Sequence, residues 1–478
     1  MSKIFLSIVS AIYNVFWGDW IHIPLPNGTT LNISLLVVIL IPVGIYFTIR
    51  TVFLPIRMFP EMLHLTLEKG DKKGGALSGF QALIVSTATR VGMGNMVGVV
   101  AAVAIGGAGA VFWMWITALI GAATAFVEAT LAQMYKEKDP LYGGYRGGPA
   151  YYLHALFAGK NNKKSVVRRI IPILFAISGL ICWCGVSQVV SNSVTDAFKS
   201  AFNVPPIITT VVIVALAAVI VLRKNMTVKV LDIMVPIMAG IYFIAAIVII
   251  IMNAGALPSV FKRIIDSAFD FRAVAGGGVG AALVMGVKRG LFSNEAGSGS
   301  APCAAAAANV SHPAKAGLTQ AFGVIIDTIV ICTCTAMIML LAPAEILDGA
   351  PSMGMLVSAM DHHFGVFGVW LVTITLGLFC FSTFIGILYY ARSNVAYIFG
   401  DNWTSQTIYK IVALIMLFIG GLATYTFVWD IGDIGIALMT VFNMIALLPM
   451  SNQAMRSLKE YTAMRKSEKA EAKANKKK

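Results

Sequence analysis

Four groups of residues in this chain carry atoms that could bind something. The first is Ala88–Gly98, ATRVGMGNMVG, where Arg90, Asn95 and the glycines at 92, 94 and 98 interrupt an apolar run. The second is Met285–Pro302, MGVKRGLFSNEAGSGSAP, which sets Lys288, Arg289, Asn294 and Glu295 among glycines. The third is Asp327, a carboxylate inside an apolar segment that also holds Thr328 and Thr333. The fourth is the hydroxyl pair Ser382 and Thr383 within FCFSTF. None of these is a nucleophile or acid–base set: there is no HExxH, and the histidines are scattered without metal-ligand spacing. The cysteines form no CxxC, so neither a disulfide framework nor a zinc site is indicated. The chemistry on offer is noncovalent. Backbone amides and carbonyls are released where a helix breaks, and neutral oxygens suit a hard cation.

The elements that position these groups follow from composition. The chain has 478 residues, 58% hydrophobic and only 12% charged, with mean hydropathy +0.82. Soluble domains carry about 25% charged residues. Half that charge at this length implies an all-α polytopic membrane protein. Net charge is +14. A membrane protein concentrates such an excess in cytoplasmic loops, and no basic patch alternates with aromatics, so no nucleic-acid partner is expected.

Apolar runs of about 20 residues predict about eleven spans. They fall near 31–54, 78–105, 109–135, 168–199, 206–222, 229–252, 274–306, 314–342, 366–397, 406–422 and 424–450. Residues 1–30 form an N-terminal interfacial segment with Trp17 and Trp20 at headgroup level. No cleaved signal peptide is expected. Residues 31–450 form the transmembrane domain, and 451–478 a basic cytoplasmic tail. Lys and Arg gather after the first, third, fifth and seventh spans and in the tail. That bias puts the N-terminus outside and the C-terminus in the cytoplasm of a cell (inner) membrane.

The second and seventh spans carry the first two groups. Glycine costs about 1 kcal/mol against alanine in a helix interior, and a charge at mid-membrane costs several times more. Irregular backbone at membrane depth survives where it lines a cavity or is buried in protein. Two interrupted spans, five helices apart, predict inverted repeats, about 78–252 and 274–450, with the ligand site at the breaks. For the glycines at 106–109 a plain tight turn is expected.

The stretches RVGMGNMVGV (90–99), GAVFWMW (109–115), GGPAYYL (147–153), GVKRGLFSNEAGSGSAP (286–302) and DTIVICT (327–333) carry a resemblance. The chain resembles the alanine or glycine:cation symporter family, the sodium:alanine symporters. The resemblance implies the leucine-transporter fold in the last ten helices, preceded by one extra helix. It implies Na⁺ as coupling ion and a small neutral amino acid, alanine or glycine, as substrate. VGMGN is similar to the broken first helix of the leucine transporter. Ala108 stands where the family pattern suggests proline, which touches the 106–110 turn only.

The site expectations are specific. Met93 and Gly94 begin a half-helix whose free N–H groups and positive dipole end suit a carboxylate. Val284, Met285 and Gly286 mark the expected break in the seventh span. Trp183, Met285, Phe379 and Phe381 wall a pocket too small for a large side chain. Gln188 either bonds substrate or a neighbouring helix. By the resemblance, the Ser382 and Thr383 hydroxyls and the Phe379, Ala88 and Val91 carbonyls form a sodium cage. Arg90, Asn95 and Asp327 are candidates for a second cation. The Arg90 guanidinium is expected to pair with an acid such as Glu128 or Asp327, to reach the cytoplasmic face, or to meet the substrate carboxylate. Lys288, Arg289 and Glu295 either form an ion-pair network or meet the substrate. Competing functions are H⁺-coupled transport and an ion channel. No repeated pore element supports the latter. Oligomeric state is not legible.

Overall fold

Helices dominate the computed structural model, which describes residues 3–24, 30–67, 84, 87, 90–158, 169–223, 227–270, 278–347 and 352–475. The chain starts with α1 (Lys3–Trp17), then a hairpin of β1 (Asp19–Pro24) on β2 (Thr30–Ser34). This hairpin departs from the all-α expectation. α2 (Leu35–Arg50), α3 (Leu54–Arg57) and α4 (Phe59–Leu67) follow. After the first break come α5 (Val99–Gly106) and α6 (Gly109–Met134), joined at Gly107 with φ +68° as the expected tight turn. A two-residue ladder, β3 (Glu137–Lys138) with β4 (Tyr145–Arg146), leads to α7 (Pro149–Ala158).

Then run α8 (Ile170–Phe202), α9 (Pro206–Val221), α10 (Thr227–Met252) and α11 (Leu257–Ala268). The second half holds α12 (Gly278–Asn294), α13 (Ala301–Ala307), α14 (Pro313–Ile325), α15 (Thr333–Leu340), α16 (Ala344–Leu347) and α17 (Met353–Phe364). It ends with α18 (Val366–Phe399), α19 (Trp403–Leu422) and α20 (Tyr425–Asn475). A π-helical stretch, Ile326–Cys332, joins α14 to α15. Residues 451–475 of the tail continue α20 as one helix.

Among the described residues, seven helices are long and apolar enough to cross a membrane, and four shorter apolar ones accompany them. The outward faces fit lipid. On α9, Ile208, Val211, Val212, Leu216 and Val219 are exposed, whereas Thr210, Ala217 and Val221 are buried. α8 sits centrally, packed on α18, α19 and α20, while α6 packs on α12 and α14. Small residues set the α8–α20 approach: a Cβ on Gly185 would lie 2.7 Å from the Gly432 nitrogen. Helices without a hydrophobic drive between them associate through such close backbone contact.

Candidate functional site

The first break is held open by side chains from three other elements. The Gly92 N–H donates to the Arg90 carbonyl at 2.8 Å and to Asn95 Oδ1 at 2.8 Å. Gly94 then starts a π-helical turn, Gly94–Gly98, that runs into α5. The Met93 N–H donates to Thr383 Oγ1 at 3.0 Å, tying the break to α18. Thr383 passes its own proton to the Phe379 carbonyl at 2.9 Å, and Ser382 donates to the same carbonyl at 2.9 Å. Asn95 Nδ2 donates to Asp327 Oδ1 at 2.7 Å and to the Asp327 carbonyl at 3.1 Å. Ser293 and Thr328 donate to Asp327 Oδ2 at 2.9 and 2.8 Å. A buried carboxylate in the π-helical stretch thus gathers the first break, α12 and its own helix.

The second break lies at 295–300, between α12 and α13. Glu295 adopts φ +58°, Gly297 +91° and Gly299 +84°. A left-handed non-glycine residue costs roughly 1–2 kcal/mol, and local bonds offset it. The Glu295 carbonyl accepts from the Ser298 N–H at 3.1 Å and the Ser298 hydroxyl at 2.8 Å. Asn294 Oδ1 accepts from the Ala296 N–H at 3.0 Å. Glu128 of α6, fully buried, accepts from the Gly297 N–H at 3.2 Å and from Asn443 Nδ2 at 2.9 Å. Asn443 also donates to the Gly297 carbonyl at 3.0 Å and accepts from the Tyr152 hydroxyl. Just beyond α6, burial pushes the Lys136 ammonium down to about 8, and it donates to the Ala308 carbonyl at 2.8 Å, at the end of α13.

The two breaks enclose a cavity of about 30 Å³. Its lining includes Met93, Gly94, Trp183, Phe292, Glu295 and Thr383. Met93, Gly94 and Trp183 of the expected substrate residues therefore meet there, together with Thr383. Val284, Met285 and Gly286 do not. α12 runs unbroken through them, because Gly286 serves a helix contact: a Cβ there would lie 2.7 Å from the Ala110 carbonyl oxygen of α6. Gln188 reaches α19, with Nε2 3.5 Å from Met416 Sδ. The Phe379 ring faces Tyr242, centroids 5.5 Å apart. Phe381 is also outside the cavity lining.

The expected cation residues are placed as follows. Ala88 lies outside the described residues. Val91 is buried beside the break, its N–H on the Thr87 carbonyl at 2.6 Å. Ser382 and Thr383 bond back to their own helix, as hydroxyls in apolar helices commonly do. Asn95 spends its oxygen on the Gly92 N–H and its amide on Asp327. Arg90 pairs with neither Glu128 nor Asp327. Fully buried, it donates through Nη1 to Gln320, to Oε1 at 3.0 Å and the carbonyl at 3.2 Å, while Nε and Nη2 have no hydrogen-bond partner among the described residues.

Lys288 and Arg289 do form an ion-pair network, and their partner is Asp433 of α20, at 2.6 and 2.8 Å. Arg289 also stacks 4.1 Å from the Trp429 ring centroid. Glu295 is not part of this cluster; its Oε2 accepts from the Tyr390 hydroxyl at 3.3 Å. α1 roofs the cluster: the Tyr13 hydroxyl contacts Lys288 Nζ at 2.5 Å, and Trp17 Nε1 donates to the Asp433 carbonyl at 3.1 Å. Trp17 is buried against α20. Asp433, Ser293 and Asn443 were not singled out in the sequence. For Asp433 the signal was available: an ionisable residue inside the last span, the same criterion that selects Asp327.

Interrupted helices that enclose a small cavity in an apolar bundle define a polytopic transporter of the leucine-transporter fold. MhsT, in a crystal structure with L-phenylalanine, shares that fold with TM-score 0.56 over 78% of this chain and 88% of its own, at 13% identity. The sequence profile of the sodium:alanine symporter family matches residues 21–476, and the chain belongs to that family. The sodium/alanine symporter AgcS of Methanococcus maripaludis is 35% identical over 97% of this chain and 99% of its own length. The probable sodium/glutamine symporter GlnT of Bacillus subtilis is 40% identical over 91% of this chain and 89% of its own. The protein is a transporter and not an enzyme.

Proposed function

We propose that this protein moves a small neutral amino acid, alanine or glycine, together with Na⁺ by alternating access across the cell membrane. The observation that carries the reading is the cavity of about 30 Å³ between the two breaks, lined by Trp183 and Phe292 beside the start of a half-helix at Gly94. Trp183 and Phe292 leave little room beside a bound zwitterion, which favours a methyl side chain over the amide arm of glutamine. The substrate carboxylate meets the positive end of that half-helix. Na⁺ sits between the first break and α18, taking the Ser382 and Thr383 hydroxyls once they turn from the Phe379 carbonyl, together with the Val91 carbonyl. Asp327 is the second cation candidate, and its burial among Asn95, Ser293 and Thr328 also supports a reading with H⁺ as coupling ion. About eleven spans, in two inverted repeats, with the N-terminus outside, complete the proposal. The test is competition against radiolabelled alanine on the purified chain in saturating Na⁺. Glycine should displace it and leucine or glutamine should do so poorly. Discriminating one methylene is worth only about 1–3 kcal/mol, so serine should compete partly. Equal displacement by glutamine would overturn the substrate assignment.

A further inference from the structure

A zwitterionic amino acid carries two charges a few ångströms apart, and a closed cavity that holds it must answer both. The half-helix that begins at Gly94 answers the carboxylate. Glu295 also lines the cavity, the one carboxylate among its described lining residues. We infer that Glu295 receives the α-ammonium group of the substrate and so restricts transport to amine-bearing acids. This rests on the reading of the cavity as the amino-acid site.

Three observations support it. Glu295 is 8% exposed and lines the cavity, so it is largely shielded from bulk water. Its backbone is fixed on both sides of the residue. The Glu295 N–H closes the last turn of α12 on the Leu291 carbonyl at 2.9 Å, and Ser298 holds the Glu295 carbonyl. The left-handed conformation at φ +58° turns the side chain off the α12 helix path, and the bonds at 294–298 hold it there. Finally, Tyr390 of α18 donates to Oε2 at 3.3 Å, which orients the carboxylate with a neutral donor. A preorganised carboxylate is what an ammonium needs, and the pairing is charge-assisted.

Alanine binding to the full chain in detergent at saturating Na⁺ tests this, with L-lactate as the second probe. Lactate keeps the carbon skeleton and carboxylate of alanine and replaces the ammonium by a hydroxyl. Wild-type protein should bind alanine and ignore a large excess of lactate. Glu295→Gln should weaken alanine by about 30-fold or more, as expected for removing one partner of a buried charge pair. The same variant should lose its preference for alanine over lactate. Tyr390→Phe keeps the charge and removes only the orienting bond, so alanine should still be preferred. Lactate competing equally with alanine on wild type would overturn the inference and needs no variant to fold. So would Glu295→Gln binding alanine within a few-fold of wild type as a monodisperse protein. Recovery of Glu295→Gln simply by raising Na⁺ would assign the carboxylate to the cation and also overturn it. Failure of wild type to bind any amino acid would instead remove the proposed function, and this inference with it.

Discussion

Replacing Asp433 by Asn should be among the most damaging single changes in the molecule. The Asp433 side chain is 1% exposed, and Lys288 and Arg289 are 5% and 4% exposed. Two cations therefore share one fully buried carboxylate, with the half-buried Asp430 the next acid near them. At an effective dielectric of about 20, a charge pair roughly 4 Å apart is worth about 4 kcal/mol, and most of it offsets desolvation. Removing the acid forfeits that attraction and leaves two uncompensated charges, the situation that costs about 3–5 kcal/mol in buried pairs. The Arg289–Trp429 stack and the Lys288–Tyr13 contact survive the change, so the lower half of that range is expected. The loss should appear in the denaturation of the purified chain in mild detergent. Lys288→Met added to Asp433→Asn leaves the buried cluster with one of its two cations, and about half the loss should come back. A single Asp433→Asn variant within 0.5 kcal/mol of wild type, no more than an exposed pair is worth at about 0.2–1 kcal/mol, would refute the reasoning.

The remaining predictions concern the two breaks. Any Cβ at Gly94 would lie 2.9 Å from Ser293 Cα, so Gly94→Leu should abolish alanine binding while the protein still purifies as a monodisperse peak; normal uptake would exclude the site. Glu128→Gln puts an amide donor against either the Gly297 or the Asn443 N–H group and should cost about 1.5–3 kcal/mol of stability, read by the same denaturation assay; an unchanged midpoint would argue that the carboxylate does not hold the second break. Ser382→Ala with Thr383→Val should raise the Na⁺ concentration for half-maximal alanine binding, with much of the affinity returning at saturating Na⁺. Linkage requires alanine to lose the same factor in strengthening Na⁺ binding. An unchanged Na⁺ dependence would move the coupling ion to Asp327 and Asn95.

What could be read from the chain alone depended on how local the signal was. The first break was legible because Arg90, Gly92, Gly94 and Asn95 contradict an apolar helix within six residues. The second was placed about ten residues early. Glycine that breaks a helix and glycine that admits a neighbour look the same in sequence, and Gly286 is of the second kind, pressed on Ala110 and Trp113. The partners of Lys288 and Arg289 were out of reach for another reason. Asp433 follows Arg289 by 144 residues, and only the packing of α20 brings it close. The packing of α1 on the ion cluster through Trp17 and Tyr13 was out of reach for the same reason. The hydroxyls of Ser382 and Thr383 were legible as a pair, but their bond to the Phe379 carbonyl depends on side-chain rotation that spacing does not encode.

The most direct test of coupled transport is radiolabelled alanine uptake into proteoliposomes with and without an inward Na⁺ gradient, at equal pH and equal potential on both sides. Alanine should accumulate transiently above its external concentration when Na⁺ is outside, and should only equilibrate slowly when K⁺ replaces it. Accumulation that ignores Na⁺ and follows an imposed proton gradient, or no accumulation under either gradient, would contradict a sodium-driven symporter built on the cavity between Gly94 and Glu295.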